Sequence, residues 1–128
     1  MEVLSSRVLA APSDLARSVA WYTEVLGLHV YREFGAGGRR TGVVLFTGGG
    51  GMLELSSSGG PAAELSLWLQ VPDVDAEWDR LLARGVRGVA APDDQPWGLR
   101  ECWIAGPDGE RIALVEVPAD HPIRRRLE

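Results

Sequence analysis

"VPDVDAEWDRLLARGV", residues 71–86, reads as one amphipathic helix with its start and stop signals in place. Asp73 or Asp75 can cap the beginning, and Gly85 can turn the chain at the end. Between them Val74, Trp78, Leu81 and Leu82 fall on one face at helical spacing. The pattern stands earlier too, in "SDLARSVAWYTEVLGL", residues 13–28, with Asp14 as cap, Gly27 as stop and Leu15, Val19, Tyr22 and Leu26 as the apolar stripe. Asp14-Leu15 and Asp73-Val74 stand 59 positions apart, whereas Gly27-Leu28 and Gly85-Val86 stand 58 apart. So nearly constant an offset points to a duplicated unit.

The strand candidates repeat with the helices. Extended runs precede each helix, at residues 7–11 and 65–71, and close each half, at residues 51–55 and 110–115. Between them lie "LHVYREF" (28–34), "TGVVLFT" (41–47), "VRGVAA" (86–91) and "RECWIA" (100–105). Each half therefore reads strand–helix–strand–strand–strand, an α+β pattern. Module one is expected at 1–58 and module two at 61–118, with a tail at 119–128. "SSSGGP", residues 56–61, reads as a flexible join.

Composition bounds the function classes. The 128 residues suit one domain, with 45% hydrophobic and 24% charged residues. No apolar run approaches the ~20 residues that cross a bilayer, and "MEVLSSRVLA" has no basic region followed by an apolar stretch. A cytoplasmic protein without a membrane partner is the expectation. The single cysteine, Cys102, excludes an intrachain disulfide and a multi-cysteine metal site. A net charge of −5 argues against a nucleic-acid partner. Arg124-Arg125-Arg126 reads as a solvated tail.

Two units, each a one-sided sheet with one helix, must hide both sheet faces. With "DLARSVAWYTEVLGL", "MLEL", "VPDVDAEWDRLLARGV", "PWGLRECWIAGPDG" and "IALVE" in that order, the chain resembles the vicinal oxygen chelate superfamily of glyoxalases, bleomycin-resistance proteins and extradiol dioxygenases. The resemblance spans nearly the whole chain. It implies two tandem βαβββ modules whose sheets form a cup, in a homodimer. A ferredoxin-like domain is the structural alternative.

Strand alternation then assigns faces. Leu65, Leu67, Leu69 and Val71 make one face of their strand, while Ser66, Trp68 and Gln70 point the other way into the cup. Leu53 and Leu55 go under the helix, leaving Met52 and Glu54 to the cup. Val8 and Ala10 go inward, leaving Arg7 and Leu9. Cys102 and Ile104 match the core, so Glu101 and Trp103 look into the cup, and Val44 and Phe46 share that outlook in module one. Ile112 and Leu114 go inward, with Ala113 opposite.

In metal-dependent relatives of this kind, His, Gln or Glu hold a cation at two repeat-related pairs of positions. The resemblance carries those positions onto Arg7 and Glu54, and onto Ser66 and Ala113. Glu54 alone is a competent ligand there, and a divalent cation typically needs three or more. No metal and no other cofactor is expected. Neither His29 nor His121 falls near these positions. Cys102 has no histidine close in sequence and alternates onto the core face, so it reads as packing rather than as a nucleophile.

Five tryptophans outnumber the tyrosines and phenylalanines combined. Trp78 reads as core and Trp21 as structural. Trp68 and Trp103 alternate into the cup, and Trp97, in "QPWGLR", lies where it could close the rim. Such a lining suits a flat or extended organic ligand held by stacking. Arg7, Leu9, Phe46, Met52, Glu54, Ser66, Trp68, Trp97 and Trp103 are the candidate ligand-binding residues. The expected partner is a hydrophobic or aromatic small molecule such as an antibiotic. By resemblance to the bleomycin-resistance proteins, the expected role is to sequester it without altering it. The alternative is an enzyme of the same superfamily, a glyoxalase-like lyase, isomerase or dioxygenase, with Glu54 as base or metal ligand.

Overall fold

Asp14 and Asp73 cap as their sequence context predicts. In the computed structural model, which describes residues 1–122, both are extended, with φ of −141° and −146°. Each carboxylate accepts from the backbone N–H three residues on, Arg17 at 3.0 Å and Ala76 at 3.1 Å. Removing such a cap typically costs about 1 kcal/mol. The helices they open are α1 (Leu15–Ala20) and α2 (Val74–Ala83).

The two helices end differently, and the difference accounts for the slipping repeat offset. After α2, Gly85 adopts φ +84°. Its N–H reaches the Leu82 carbonyl, and that of Val86 reaches Leu81, each at 3.0 Å, the paired bonds of a glycine C-cap. Helix α1 instead passes into a π-helical turn over Trp21–Val25. There Leu26 N–H bonds the Trp21 carbonyl five residues back, at 2.9 Å, before Gly27 turns the chain at φ +91°. A π-turn holds one residue more than an α-turn, and module one carries one residue more between its cap and its stop.

The chain divides into two compact units. The first comprises Met1–Leu65 with Pro107–Glu110. Its strands are β1 (Val8–Ala11), β2 (His29–Ala36), β3 (Arg39–Gly48), β4 (Gly51–Ser56) and β5 (Gly60–Pro61), in the order β2-β3-β4-β1-β5. Strand β1 runs parallel to β4 and β5, and the other pairs are antiparallel. Ala10, Val19, Tyr22, Val43, Leu45, Leu53 and Leu55 are buried, each large apolar side chain contributing roughly 1.5–3 kcal/mol.

Two expectations for this unit are corrected. Residues 56–61 are not a flexible join: Ser56 ends β4, and Gly60 and Pro61 pair with Ala10 and Ala11. A Cβ on Gly59 would lie 2.4 Å from the Ala10 nitrogen, so the chain passes where only glycine fits. Val8, expected inward, is 52% exposed. Helix α1 packs on β3 and β4 and does not cover the first residue of β1.

The second unit comprises Ser66–Gly106 with the described residues from Arg111 onward. Its strands are β6 (Ser66–Gln70), β7 (Arg87–Asp94), β8 (Arg100–Ala105) and β9 (Arg111–Glu116), in the order β6-β9-β8-β7. Strands β6 and β9 are parallel; the rest are antiparallel. Each unit thus sets its opening strand beside its closing one, as duplication of a βαβββ unit requires. Val74, Leu81, Cys102, Ile104, Ile112 and Leu114 are buried.

Here too the helical stripe is narrower than expected. Leu82 is 41% exposed, because the buried line runs through Val74 and Leu81 and the next residue lies about 100° away. Trp78, expected in the core, is half-buried. Its ring lies across β7 at Gly88, where a Cβ would come within 2.4 Å of Cη2. The arginine cluster at 124–126 lies outside the described residues. Among those described, no helix is long and apolar enough to cross a membrane.

Candidate functional site

The register of the second sheet brings Trp68 and Trp103 into one row. Trp68 on β6 and Trp103 on β8 both stand opposite Ala113 on the intervening β9. Neighbouring strands are about 4.8 Å apart, so two indoles rise from backbones about 10 Å apart with only a methyl group between them. Trp68 is 50% exposed. Trp103 is half-buried against a cluster of Leu99, Ala113, Val115 and Val117. The guanidinium of Arg111 lies over its ring, 5.0 Å from the centroid. Ser66 is paired with Arg111 at the same end of the sheet.

Four residues before β8's second residue, the turn at Trp97 is tied down from two sides. Its indole N–H donates to Glu101 Oε2 at 2.7 Å, and its carbonyl lies 3.1 Å from His121 Nε2. Gly98 holds φ +89° there, with a Cβ position 3.3 Å from the His121 ring. Trp97 is 58% exposed, so its ring keeps a solvent-facing surface. The carboxylate that anchors it is the opposite: Glu101 is only 8% exposed. Alternation places Glu101 on this face, but its pairing with Trp97 is not readable from spacing.

In the first unit Arg7 Nη1 donates to Glu54 Oε1 at 3.1 Å, and Ser56 Oγ donates to Oε2 at 2.7 Å. Leu9 stands opposite Glu54 on β1, and Met52 opposite Phe46 on β3. Phe46 meets the ring of Tyr31 edge-on, with centroids 5.1 Å apart. Tyr31 was not anticipated, because an irregularity between Val30 and Arg32 breaks the alternation of β2. This unit therefore offers a smaller aromatic patch beside a neutralised carboxylate.

The four positions suggested for a metal do not fit one. Arg7 and Glu54 are bonded to each other, the second oxygen of Glu54 is taken by Ser56, and Ala113 has no side-chain donor atom. Asp73, Asp75 and Glu116 bring carboxylate oxygens within 4.8 Å of one another, but each is engaged. Asp73 caps α2, Glu116 accepts from Val74 N–H at 3.0 Å, and Asp75 binds Arg100 at 2.8 Å. The Arg100 guanidinium holds the Asp75 carboxyl below the usual range. These acids serve the helix start.

Two further polar groups were missed. Glu110 is fully buried and accepts from Tyr22 Oη at 2.9 Å and from Asp108 N–H at 2.7 Å. Burial, then the Glu110 charge, pushes the Tyr22 phenol well above its ordinary value. A hollow of about 360 Å³ lies beside β5, lined by Ala11, Ser13, Pro61, Ala62, Ala63 and Asp108 among others. Its polar members are spent: Ser13 donates to Asp108, which also pairs with Arg17.

A family model described as the glyoxalase/bleomycin resistance protein/dioxygenase superfamily matches residues 5–114. Among solved structures, the chain is similar to TnmS3, an antibiotic binding protein from Streptomyces sp. CB03234. Identity is 26% and the TM-score 0.76, covering 91% of this chain and 98% of that one. TioX from Micromonospora sp. ML1 is 25% identical with a TM-score of 0.73, over 88% and 95% of the two chains. A glyoxalase/bleomycin resistance protein from Streptomyces sp. CB03234 is 29% identical with a TM-score of 0.68, over 86% and 98%. No curated protein matches.

Proposed function

Because the chain belongs to the glyoxalase/bleomycin resistance protein/dioxygenase superfamily, we propose that it binds a hydrophobic or aromatic small molecule, such as an antibiotic, and releases it unchanged. The observation that carries this reading is the row Trp68–Ala113–Trp103. Two large aromatic rings separated by a small residue make a stacking surface for a flat molecule. Two such contacts at roughly 0.5–1.5 kcal/mol each, with about 300 Å² of apolar burial at ~25 cal/mol/Å², suffice for micromolar affinity after ordering costs.

The description of TnmS3 as an antibiotic binding protein supports the choice of ligand class. The state of Glu54 supports binding over catalysis. A general base must lie within hydrogen-bond reach of the proton it takes, and Glu54 is held instead by donors of the protein, Arg7 and Ser56. The functional protein is a cytoplasmic homodimer in this reading, without metal and without nucleic acid. The test is to incubate the protein with an aromatic antibiotic it retains, denature it and weigh what is recovered. Unchanged mass in stoichiometric amount is the expected result; a product of altered mass in excess over protein contradicts it.

A further inference from the structure

Glu101 is a buried acid that makes no ion pair among the described residues. Among the described residues its one hydrogen-bond partner is the Trp97 indole, which takes Oε2. Oε1 has no protein donor among the described residues and is open to one from a ligand. A carboxylate with 8% exposure and no ion-pair partner among the described residues is costly to keep, and the charged residue in register with it is another acid. Asp93 stands opposite Glu101 on β7.

The position of this acid relative to the tryptophans gives it meaning. Glu101 stands opposite Val115, and Trp103 opposite Ala113. Glu101 is thus two residues along β8 from the aromatic row, a step of about 7 Å on the same face. Two residues from Ala113 in the other direction lies Arg111, with its guanidinium over Trp103. One face of one sheet therefore runs from acid through indole to base. Such a surface does not treat all aromatic molecules alike.

We infer that Glu101 is the subsite for a protonated amine on the ligand, so that the molecule bound is an aromatic cation carrying its charge about 7 Å from the ring stacked at Trp103. The inference rests on the aromatic-binding reading above and narrows it to a chemical class. The amine donates to Oε1 and supplies a counter-charge that the described residues do not. Arg111 repels an amine from the opposite end and so fixes the direction in which the ligand lies.

Three naphthalene probes separate the possibilities: 2-(1-naphthyl)ethylamine, which is cationic, 2-(1-naphthyl)ethanol, which is neutral, and 1-naphthylacetate, which is anionic. Calorimetric titration of the parent should rank amine, alcohol, acetate, with the amine about tenfold or more tighter than the alcohol. Glu101→Gln keeps an acceptor for Trp97 but loses the charge, and the amine-to-alcohol ratio should fall to near one. Glu101→Asp, which keeps the charge but retracts it, should retain part of the preference and guards against a misfolded glutamine variant. If the probes bind without an amine preference, or the preference survives Glu101→Gln, the inference is wrong while the aromatic reading stands. If no probe binds, the aromatic reading itself fails and takes this inference with it.

Discussion

Arg7 donates to Glu54 across 3.1 Å, joining the residue just before β1 to the middle of β4. Glu54 is largely buried and Arg7 about one-third exposed, which places the pair between a surface ion pair and a core one.

A double-mutant cycle on that pair should give a coupling energy of about 1 kcal/mol, above most surface pairs and well below a fully buried one. Arg7→Met should destabilise more than Glu54→Gln, because it strands a carboxylate that only Ser56 then supports. Urea denaturation of the four proteins measures this. A coupling near zero means that the two side chains do not pair in solution.

Tyr22 gives a pH prediction with a definite sign. Its phenol holds its proton in the folded protein above the ordinary value of 10.0, through burial and the adjacent Glu110 carboxylate. The folded state thus keeps a proton the unfolded chain gives up. Stability from this group is complete below about pH 10 and is lost as pH rises beyond it. Tyr22→Phe should cost about 1–3 kcal/mol near neutral pH by removing a donor to a buried acid. It should also flatten the alkaline decline. Urea midpoints compared at about pH 8 and pH 11 test both halves of the statement.

Cys102 should be inert while the protein is folded. It is fully buried, and that burial pushes its thiol up to about 11, so the nucleophilic thiolate is scarce and inaccessible at neutral pH. Iodoacetamide should label it only after denaturation. Rapid stoichiometric labelling of the native protein would place it on an open face instead.

Gly88→Ala should destabilise by about 1–3 kcal/mol through overpacking, since the new methyl would meet the Trp78 ring at 2.4 Å. Trp78→Leu in the same chain should recover part of that loss. Equal destabilisation by Gly88→Ala in both backgrounds would show that the ring lies elsewhere.

What was legible in the sequence follows the range of each interaction. Caps act over three residues, so Asp14 and Asp73 announced their helices. Alternation acts over two, so Trp68, Trp103 and Glu101 could be assigned a face before any contact was known. The π-turn at Trp21–Val25 was present only as a slip of one in the repeat offset, which has no meaning until a helix must absorb it. Tyr22 and Glu110 are separated by 88 positions, and no local pattern marks an acid that will be buried beside a phenol. Strand β5 was hidden because serine, glycine and proline read as a linker, although a parallel edge of two residues needs no side chains at all.

The central claim is that the face bearing Trp68 and Trp103 is where a flat molecule binds, and tryptophan-fluorescence titration against a panel of aromatic antibiotics and metabolites tests it most directly. For any compound that binds the parent, Trp68→Ala and Trp103→Ala should each raise Kd by roughly tenfold. If both variants bind that compound as tightly as the parent does, the ligand sits elsewhere and the claim is wrong.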